Sequence, residues 1–341
     1  MLKKFVLFGS TFKSLSARML RRSEKSHEIS DSNVKQSPKI DGRQKQLVSD
    51  SGLVRKPVFI VGCGRSGTGM LFDLLSQHPQ LAMTMGYPSG EDHEGWIEHG
   101  QCVMAGIGEN IGSEKYGSGL NGYNACLSMT VEDVTPEIKE GMHNYYWNDV
   151  LKNEMARRVI NKCPHNSNKI DYMLGIFPDA KIIHIIRDCE ATVASWMAVM
   201  RDHPGLVLYW PEEELPCFWI LPKPQSPAEL KRLARHERFF PGGGAGLFID
   251  YWVKTNMGIE KQMQDRLNQL IVVRYEDLVA RSSDVLNEIG RFCELSEFKF
   301  STMHLDLNTA MKHKHLLSQE LMEAISTDAE MARRHFGYST V

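Results

Sequence analysis

PVFIVGCGRSGTGMLFDLLSQH, Pro57 to His78, decides the fold of this chain. Phe59, Ile60 and Val61 are strand formers in an unbroken apolar run, which predicts a strand buried on both faces of a parallel sheet. Gly62, Gly64, Gly67 and Gly69 follow, residues that let a backbone turn tightly and approach a ligand closely. Met70, Leu71, Leu74 and Leu75 then recur at helical spacing. Strand, glycine-rich turn and helix in that order aim free N–H groups and the positive end of a helix dipole at a docked anion. The segment therefore reads as a phosphate-binding loop. Glycine also collects in turns for steric reasons alone, and the loop by itself does not separate the two readings.

The loop departs from G-x-x-x-x-G-K-[ST], the pattern that cradles nucleotide triphosphates. Gly62 and Gly67 keep its spacing, but Thr68 stands where the lysine would be and the cation has moved inside the loop, to Arg65. That argues for a fold handling phosphate or sulfate without ordinary ATP chemistry.

A second segment repeats the logic: FPDAKIIHIIRDCEATVASWMAVMR, Phe177 to Arg201. Ile182, Ile183, Ile185 and Ile186 predict another buried strand, Arg187 and Asp188 leave its C-terminal end, and Ala191 to Met200 reads as a helix. Ligands of open α/β sheets bind at that end of the strands. Arg187, together with Ser195 about two turns into the helix, offers a guanidinium and a hydroxyl to one phosphate. The plainer alternative pairs Arg187 with Asp188 and leaves Ser195 as packing.

Together the two segments resemble the PAPS-dependent sulfotransferase superfamily, whose donor is 3′-phosphoadenosine 5′-phosphosulfate. GCGRSGTGML is similar to the family's 5′-phosphosulfate loop, which implies that Gly64, Arg65, Ser66, Gly67, Thr68 and Gly69 bind the donor. IIRDCEATVASW is similar to its 3′-phosphate motif, which implies the same of Arg187 and Ser195. NKCPHN, Asn161 to Asn166, resembles a K-x-P stretch of the tyrosylprotein and glycan branch, and VVRYEDLV, Val272 to Val279, a late strand-and-turn. The resemblance covers roughly Pro57 to Leu278 and extends toward HFGYS near the C-terminus. Gly69 departs from it, since the family commonly has a second threonine there. The lysine and tryptophan of the cytosolic aryl and steroid branch, and its late G-x-x-G-x-x-K stretch, are missing. Lys312 or Lys314, in MKHKHLLS, is a further candidate to approach the nucleotide.

Sulfuryl transfer, like phosphoryl transfer, needs positioning and electrostatic stabilisation of an in-line displacement. Arg65, the loop amides and Lys162 are the candidates to stabilise charge. A general base must also take the acceptor's proton. In the tyrosylprotein and glycan branches that base is a glutamate after the first helix and second strand, which points to GEDHEGW. Glu91 is the first choice, with His93 and Glu94 behind it. The cluster also reads as a solvated loop with one helix cap.

Composition narrows the field modestly. The 341 residues are 42% hydrophobic, enough for a large core, and a formal charge of −2 gives no global case for nucleic-acid binding. Seven scattered cysteines without C-x-x-C, and 13 histidines without H-E-x-x-H, favour a reducing, cytoplasmic setting and no metal. Residues 1–52 form a basic, then mixed-charge stretch whose apolar pieces are too short to span a bilayer, read as a flexible extension before a domain over 53–341. A membrane-surface helix or a transit peptide is the other reading of that start. The glycine-, proline- and aromatic-rich stretches 94–160 and 203–246 are expected to shape an acceptor pocket.

The expected fold class is α/β, a P-loop-like three-layer arrangement with a central parallel sheet flanked by helices. The expected function is sulfuryl transfer from PAPS to a hydroxyl, or an amine, of a carbohydrate, lipid, peptide or small metabolite, with oligomeric state open. A P-loop-type kinase or NTPase and a non-catalytic nucleotide-binding relative are the rivals.

Overall fold

Val58–Val61 forms β1, the middle strand of the sheet, and all four of its side chains are buried. The computed structural model describes residues 52–83, 90–100, 129–152, 158–202, 206–209, 219–222, 245–302, 312 and 314–338. The basic N-terminal stretch, about half of the stretch 94–160 and most of 203–246 lie outside the described residues.

The strands of the central sheet are β1, β2 (Leu81–Ala82), β3 (Arg158–Lys162), β4 (Lys181–Ile186) and, after a separate hairpin, β7 (Leu270–Arg274). Their order is β2-β3-β1-β4-β7, and every pairing is parallel. The hairpin joins β5 (Leu206–Tyr209) to β6 (Trp219–Pro222), antiparallel. The chain leaves β1 toward β2 and β3 on one side and later adds β4 and β7 on the other. The strand order therefore reverses at β1, the kind of position where open α/β sheets bind ligands, at the carboxyl ends of the strands.

Alternation along the strands explains why apolar runs rather than alternating patterns occur. Val58, Ile60, Ile183 and Ile185 join a cluster with Leu71, Phe72, Leu74 and Leu75 of helix α1 (Thr68–Leu75). Phe59, Val61 and Ile182 join another with Ile138, Tyr172 and Met173. Successive side chains point to opposite faces, both faces are covered, and so no position on the strand can be polar without a partner. Burying each isoleucine or valine contributes roughly 1.5–3 kcal/mol. The expected α/β class with a helix-flanked parallel sheet is what the chain adopts.

The remaining helices complete the layers: α2 (His93–Glu98), α3 (Pro136–Tyr145), α4 (Ile170–Ile176), α5 (Cys189–Asp202), α6 (Ala245–Met263), α7 (Tyr275–Ala280), α8 (Ser282–Phe292), α9 (Gln319–Asp328) and α10 (Glu330–His335). Helix α3 starts on Thr135, whose hydroxyl accepts the Ile138 N–H, followed by proline at the first helical position. Of the adjacent aromatics beyond it, Tyr146 enters the core. No helix among the described residues is long and apolar enough to cross a membrane.

Candidate active site

The loop after β1 lies between two strand ends. In register, Ile60 pairs with Lys162 of β3, and Val61 pairs with His184 of β4. Whatever follows β1 is thus flanked by residues leaving β3 on one side and β4 on the other. Strands sit about 4.8 Å apart, so the two flanks are roughly 10 Å from each other.

The loop is held from outside. Ser167, just past NKCPHN, bonds both polar atoms of Gly62: its Oγ accepts from the amide at 3.1 Å and reaches the carbonyl at 3.2 Å. Tyr251 Oη accepts the Gly64 N–H at 2.8 Å, while Trp196 Nε1 donates to the Gly64 carbonyl at 3.1 Å. Gly64 therefore serves as an anchor, its peptide groups already taken by the protein. Gly67 has φ 94°, and a Cβ there would meet the Tyr275 ring at 2.5 Å. Arg65 also takes a left-handed conformation, φ 72°, which costs a non-glycine residue of order 1 kcal/mol or more.

Helix α1 begins at Thr68 with no side-chain cap. The N–H groups of Gly67, Thr68, Gly69 and Met70 have no intrahelical acceptor, because the first such bond is Leu71 N–H to Gly67 O. Ser66 is fully buried, and its Oγ has no nitrogen or oxygen partner among the described residues, with the Cys63 thiol beside it as a weak one. Unpaired amides and a buried orphan hydroxyl are groups that a docked anion satisfies. A Cβ on Gly69 would meet nothing within 4 Å, so the position of the family's second threonine is open space here.

The β4 flank brings the second motif onto the first. Arg65 Nε donates to Ser195 Oγ at 3.1 Å, and Arg187 Nη1 donates to the Arg65 carbonyl at 3.3 Å. The three residues, expected to contact two different phosphates, form one continuous cluster. Arg187 is buried and its guanidinium lies 4.6 Å over the Tyr275 ring, a cation–π contact. Burial first, and then the neighbouring Arg187 charge, hold Arg65 below the ordinary arginine value, even though much of its surface stays open to solvent. Arg187 is lowered by burial, with Tyr275, Glu276 and Asp188 opposing. Two neighbouring guanidiniums, Arg187 buried and Arg65 open to solvent, concentrate positive charge beside the loop. The Asp188 carboxylate accepts from Arg333 and from the Glu190 N–H.

The β3 flank carries the other candidates. Lys162, its side chain 6% exposed, donates to Glu91 Oε1 at 2.6 Å, and Glu91 remains 31% exposed. The backbone before Glu91 is tied to β3, since Lys162 N–H and Asn161 Nδ2 both donate to Gly90 O, at 2.7 and 2.8 Å. Asp92 is buried and accepts from Tyr145 Oη at 2.8 Å, which gives it a packing role. His93 opens α2, but the side chains of His93 and Glu94 lie outside the described residues. Lys312 is exposed.

Sequence reasoning did not single out Tyr251, Ser167 and Tyr275. Tyr275 stood inside VVRYEDLV and Ser167 one residue beyond NKCPHN, so the two resemblance stretches were the available signal. Tyr251 had none, lying 187 residues from the glycine it anchors. Among the described residues no group of three or more His, Cys, Asp or Glu side chains is placed to hold a metal ion.

Residues 57–208, the stretch from β1 through the hairpin strand β5, match the model of the sulfotransferase family, Sulfotransfer_3. Over that segment, somewhat under half of its length, the chain is similar to the sulfotransferase family. An uncharacterized protein of Aquifex aeolicus (strain VF5) is 24% identical over 243 residues, 71% of this chain and 26% of that protein. The chain thus spans about a quarter of that relative's length. Similar solved structures include the sulfotransferase domain from the curacin biosynthetic pathway, 15% identical, covering 82% of this chain and 98% of that one with TM-score 0.46. A sulfotransferase from Alicyclobacillus acidocaldarius is 17% identical, with coverages of 85% and 98% and TM-score 0.44.

Proposed function

We propose that the chain transfers a sulfuryl group from PAPS to the hydroxyl, or an amine, of an acceptor, releasing adenosine 3′,5′-bisphosphate. The observation that carries this reading is the contact of Arg65 with Ser195 and of Arg187 with the Arg65 carbonyl. Two basic-and-hydroxyl motifs 122 residues apart in sequence meet at the carboxyl end of the sheet, which suits a ligand with more than one anionic group. A triphosphate would instead need the loop lysine that Thr68 replaces.

The residues present fit such a donor. The loop amides at the start of α1, Ser66, Thr68 and Arg65 would hold the 5′ end, and Arg187 with Ser195 the 3′-phosphate. Bound there, PAPS supplies the sulfuryl group, whose bond to the 5′-phosphate breaks as the acceptor oxygen bonds to sulfur. Glu91, on the β3 side of the loop and open to solvent, accepts the proton that the acceptor loses. Lys162 holds the Glu91 carboxylate in place before that transfer. Protonation removes the charge Lys162 pairs with, leaving its ammonium to follow the negative charge growing on the leaving phosphate.

The test is thermal unfolding with adenosine 3′,5′-bisphosphate, adenosine 5′-monophosphate and ATP with magnesium, followed by incubation with PAPS and an acceptor panel. Bisphosphate at about a hundred times its dissociation constant should stabilise by roughly 2.7 kcal/mol, more than either comparison nucleotide. A shift with ATP and magnesium alone would move the kinase reading to first place. Selective bisphosphate binding without transfer to any acceptor class would favour the non-catalytic relative.

A further inference from the structure

The turn that presents Arg187 is braced by the far C-terminus of the described chain, by residues the donor reading does not use. Glu276, the second residue of α7, accepts the Asp188 backbone N–H on Oε1 at 3.0 Å. Its other oxygen accepts the Tyr338 hydroxyl at 2.7 Å, and that hydroxyl also lies 3.3 Å from the Ile186 carbonyl. One carboxylate thus links Tyr338 to the peptide unit directly after Arg187, and the tyrosine oxygen touches the peptide unit directly before it. Arg333 of α10, buried, reaches Asp188 Oδ2 at 3.3 Å and Glu190 Oε1 at 3.2 Å. Trp252 Nε1 donates to the Arg187 carbonyl at 2.8 Å. The Tyr338 ring is itself covered by the Arg274 guanidinium, 4.3 Å away.

This is more polar structure than a strand end requires. A β4 terminus needs its carbonyls satisfied, which Trp252 does for Arg187. The additional carboxylate, hydroxyl and guanidinium fix the direction in which the residue between Ile186 and Asp188 leaves the sheet. Arg187 has a long side chain whose guanidinium must lie flat on Tyr275, the residue next to Glu276, so a shift of the turn would misplace it. Buried, mutually satisfied polar networks hold one geometry because any rearrangement leaves a polar group unpaired.

We propose that Tyr338, acting through Glu276 and together with Arg333, is a positioning residue for Arg187 and so tunes recognition of the donor's 3′-phosphate. This rests on the reading of Arg187 as the 3′-phosphate residue. The C-terminal segment then serves donor selectivity as well as the core it packs in.

The test is the ratio of dissociation constants for adenosine 5′-monophosphate and adenosine 3′,5′-bisphosphate, by calorimetry on the full chain and on Tyr338→Phe. Losing one hydrogen bond to a charged group should lower that ratio about five- to tenfold, through weaker bisphosphate binding with monophosphate binding unchanged. General loosening would weaken both nucleotides together and leave the ratio intact, and that result overturns the proposal. Arg333→Met, which breaks the bridge to Asp188 and Glu190, should lower the ratio too and carries the test alone if Tyr338→Phe fails to fold. If the unaltered chain itself shows no preference for the bisphosphate, the donor reading has failed, a result distinct from a preference that both variants retain.

Discussion

The two flanks of the loop are built differently. On the β4 side Arg187 sits in a buried mesh of Tyr275, Glu276, Trp252, Arg333 and Tyr338, so its position is over-determined. On the β3 side Glu91 is half-exposed, with its carboxylate paired to Lys162 and its backbone neighbour tied to β3. The comparison teaches that a charge proposed to stay fixed is surrounded, whereas a charge proposed to change during a reaction is left near solvent. A carboxylate locked in a full network could not take a proton without breaking several bonds.

The sharpest way to break this contrast is Glu91→Gln. If the β3 side does chemistry and the β4 side binds, turnover should fall about 10²–10⁴-fold while bisphosphate affinity stays within about twofold. Normal turnover in that variant would remove Glu91 as the base. Arg187→Ala should do the opposite: calorimetry should show roughly a hundredfold loss of bisphosphate affinity, because truncation removes a buried charge from its ligand.

Acid should loosen the β4 side specifically. His184, fully buried in β4, donates its Nε2–H to Asn256 Oδ1 at 2.8 Å. Burial lowers its pKa to about 4, with Asn256 and Glu260 opposing. The folded value lies below the unfolded one, so the unfolded chain binds the proton first. Stability contributed by the neutral ring is complete above the unfolded value of 6.5 and is lost as pH falls toward 4. Denaturant unfolding at pH 5 should show a loss of about 2 kcal/mol from this group relative to pH 7.5, and His184→Gln should flatten that component.

The smallest effect belongs to Gly69. Its Cβ direction is open and its φ is not left-handed, so Gly69→Thr should fold with stability changed by less than about 1 kcal/mol and should bind bisphosphate as well or a few-fold tighter. Gly67→Ala, whose Cβ would strike the Tyr275 ring at 2.5 Å, should lose both stability and affinity, measured by melting and calorimetry.

Much of the loop and of the β4 flank could be read from sequence because each is local. The run at 58–61, the turn and the helix that begins at Thr68 are set by residues within about a dozen positions of one another. The same holds for Ile182 to Ser195, where strand, arginine and helix follow in order. The braces were not legible: Tyr251 meets Gly64, Ser167 meets Gly62 and Tyr338 meets Ile186 across 187, 105 and 152 residues. No periodicity links such pairs. GEDHEGW offers Glu91, Asp92, His93 and Glu94 side by side, and what separates Glu91 from Asp92 is tertiary: Glu91 is half-exposed and paired with Lys162, whereas Asp92 is buried and engaged by Tyr145.

The sequence by itself determined that two strand–turn–helix units exist, that both bury their strands on two faces, and that each leaves an arginine at a carboxyl end. Short-range propensity and apolar period are enough for that. Only the tertiary structure decided that β1 lies between β3 and β4, and so that Lys162 and Glu91 stand on one side of Arg65 while Arg187 stands on the other. Strand order follows from how crossover helices pack on the sheet, a property of the whole core, and no stretch of chain carries it alone.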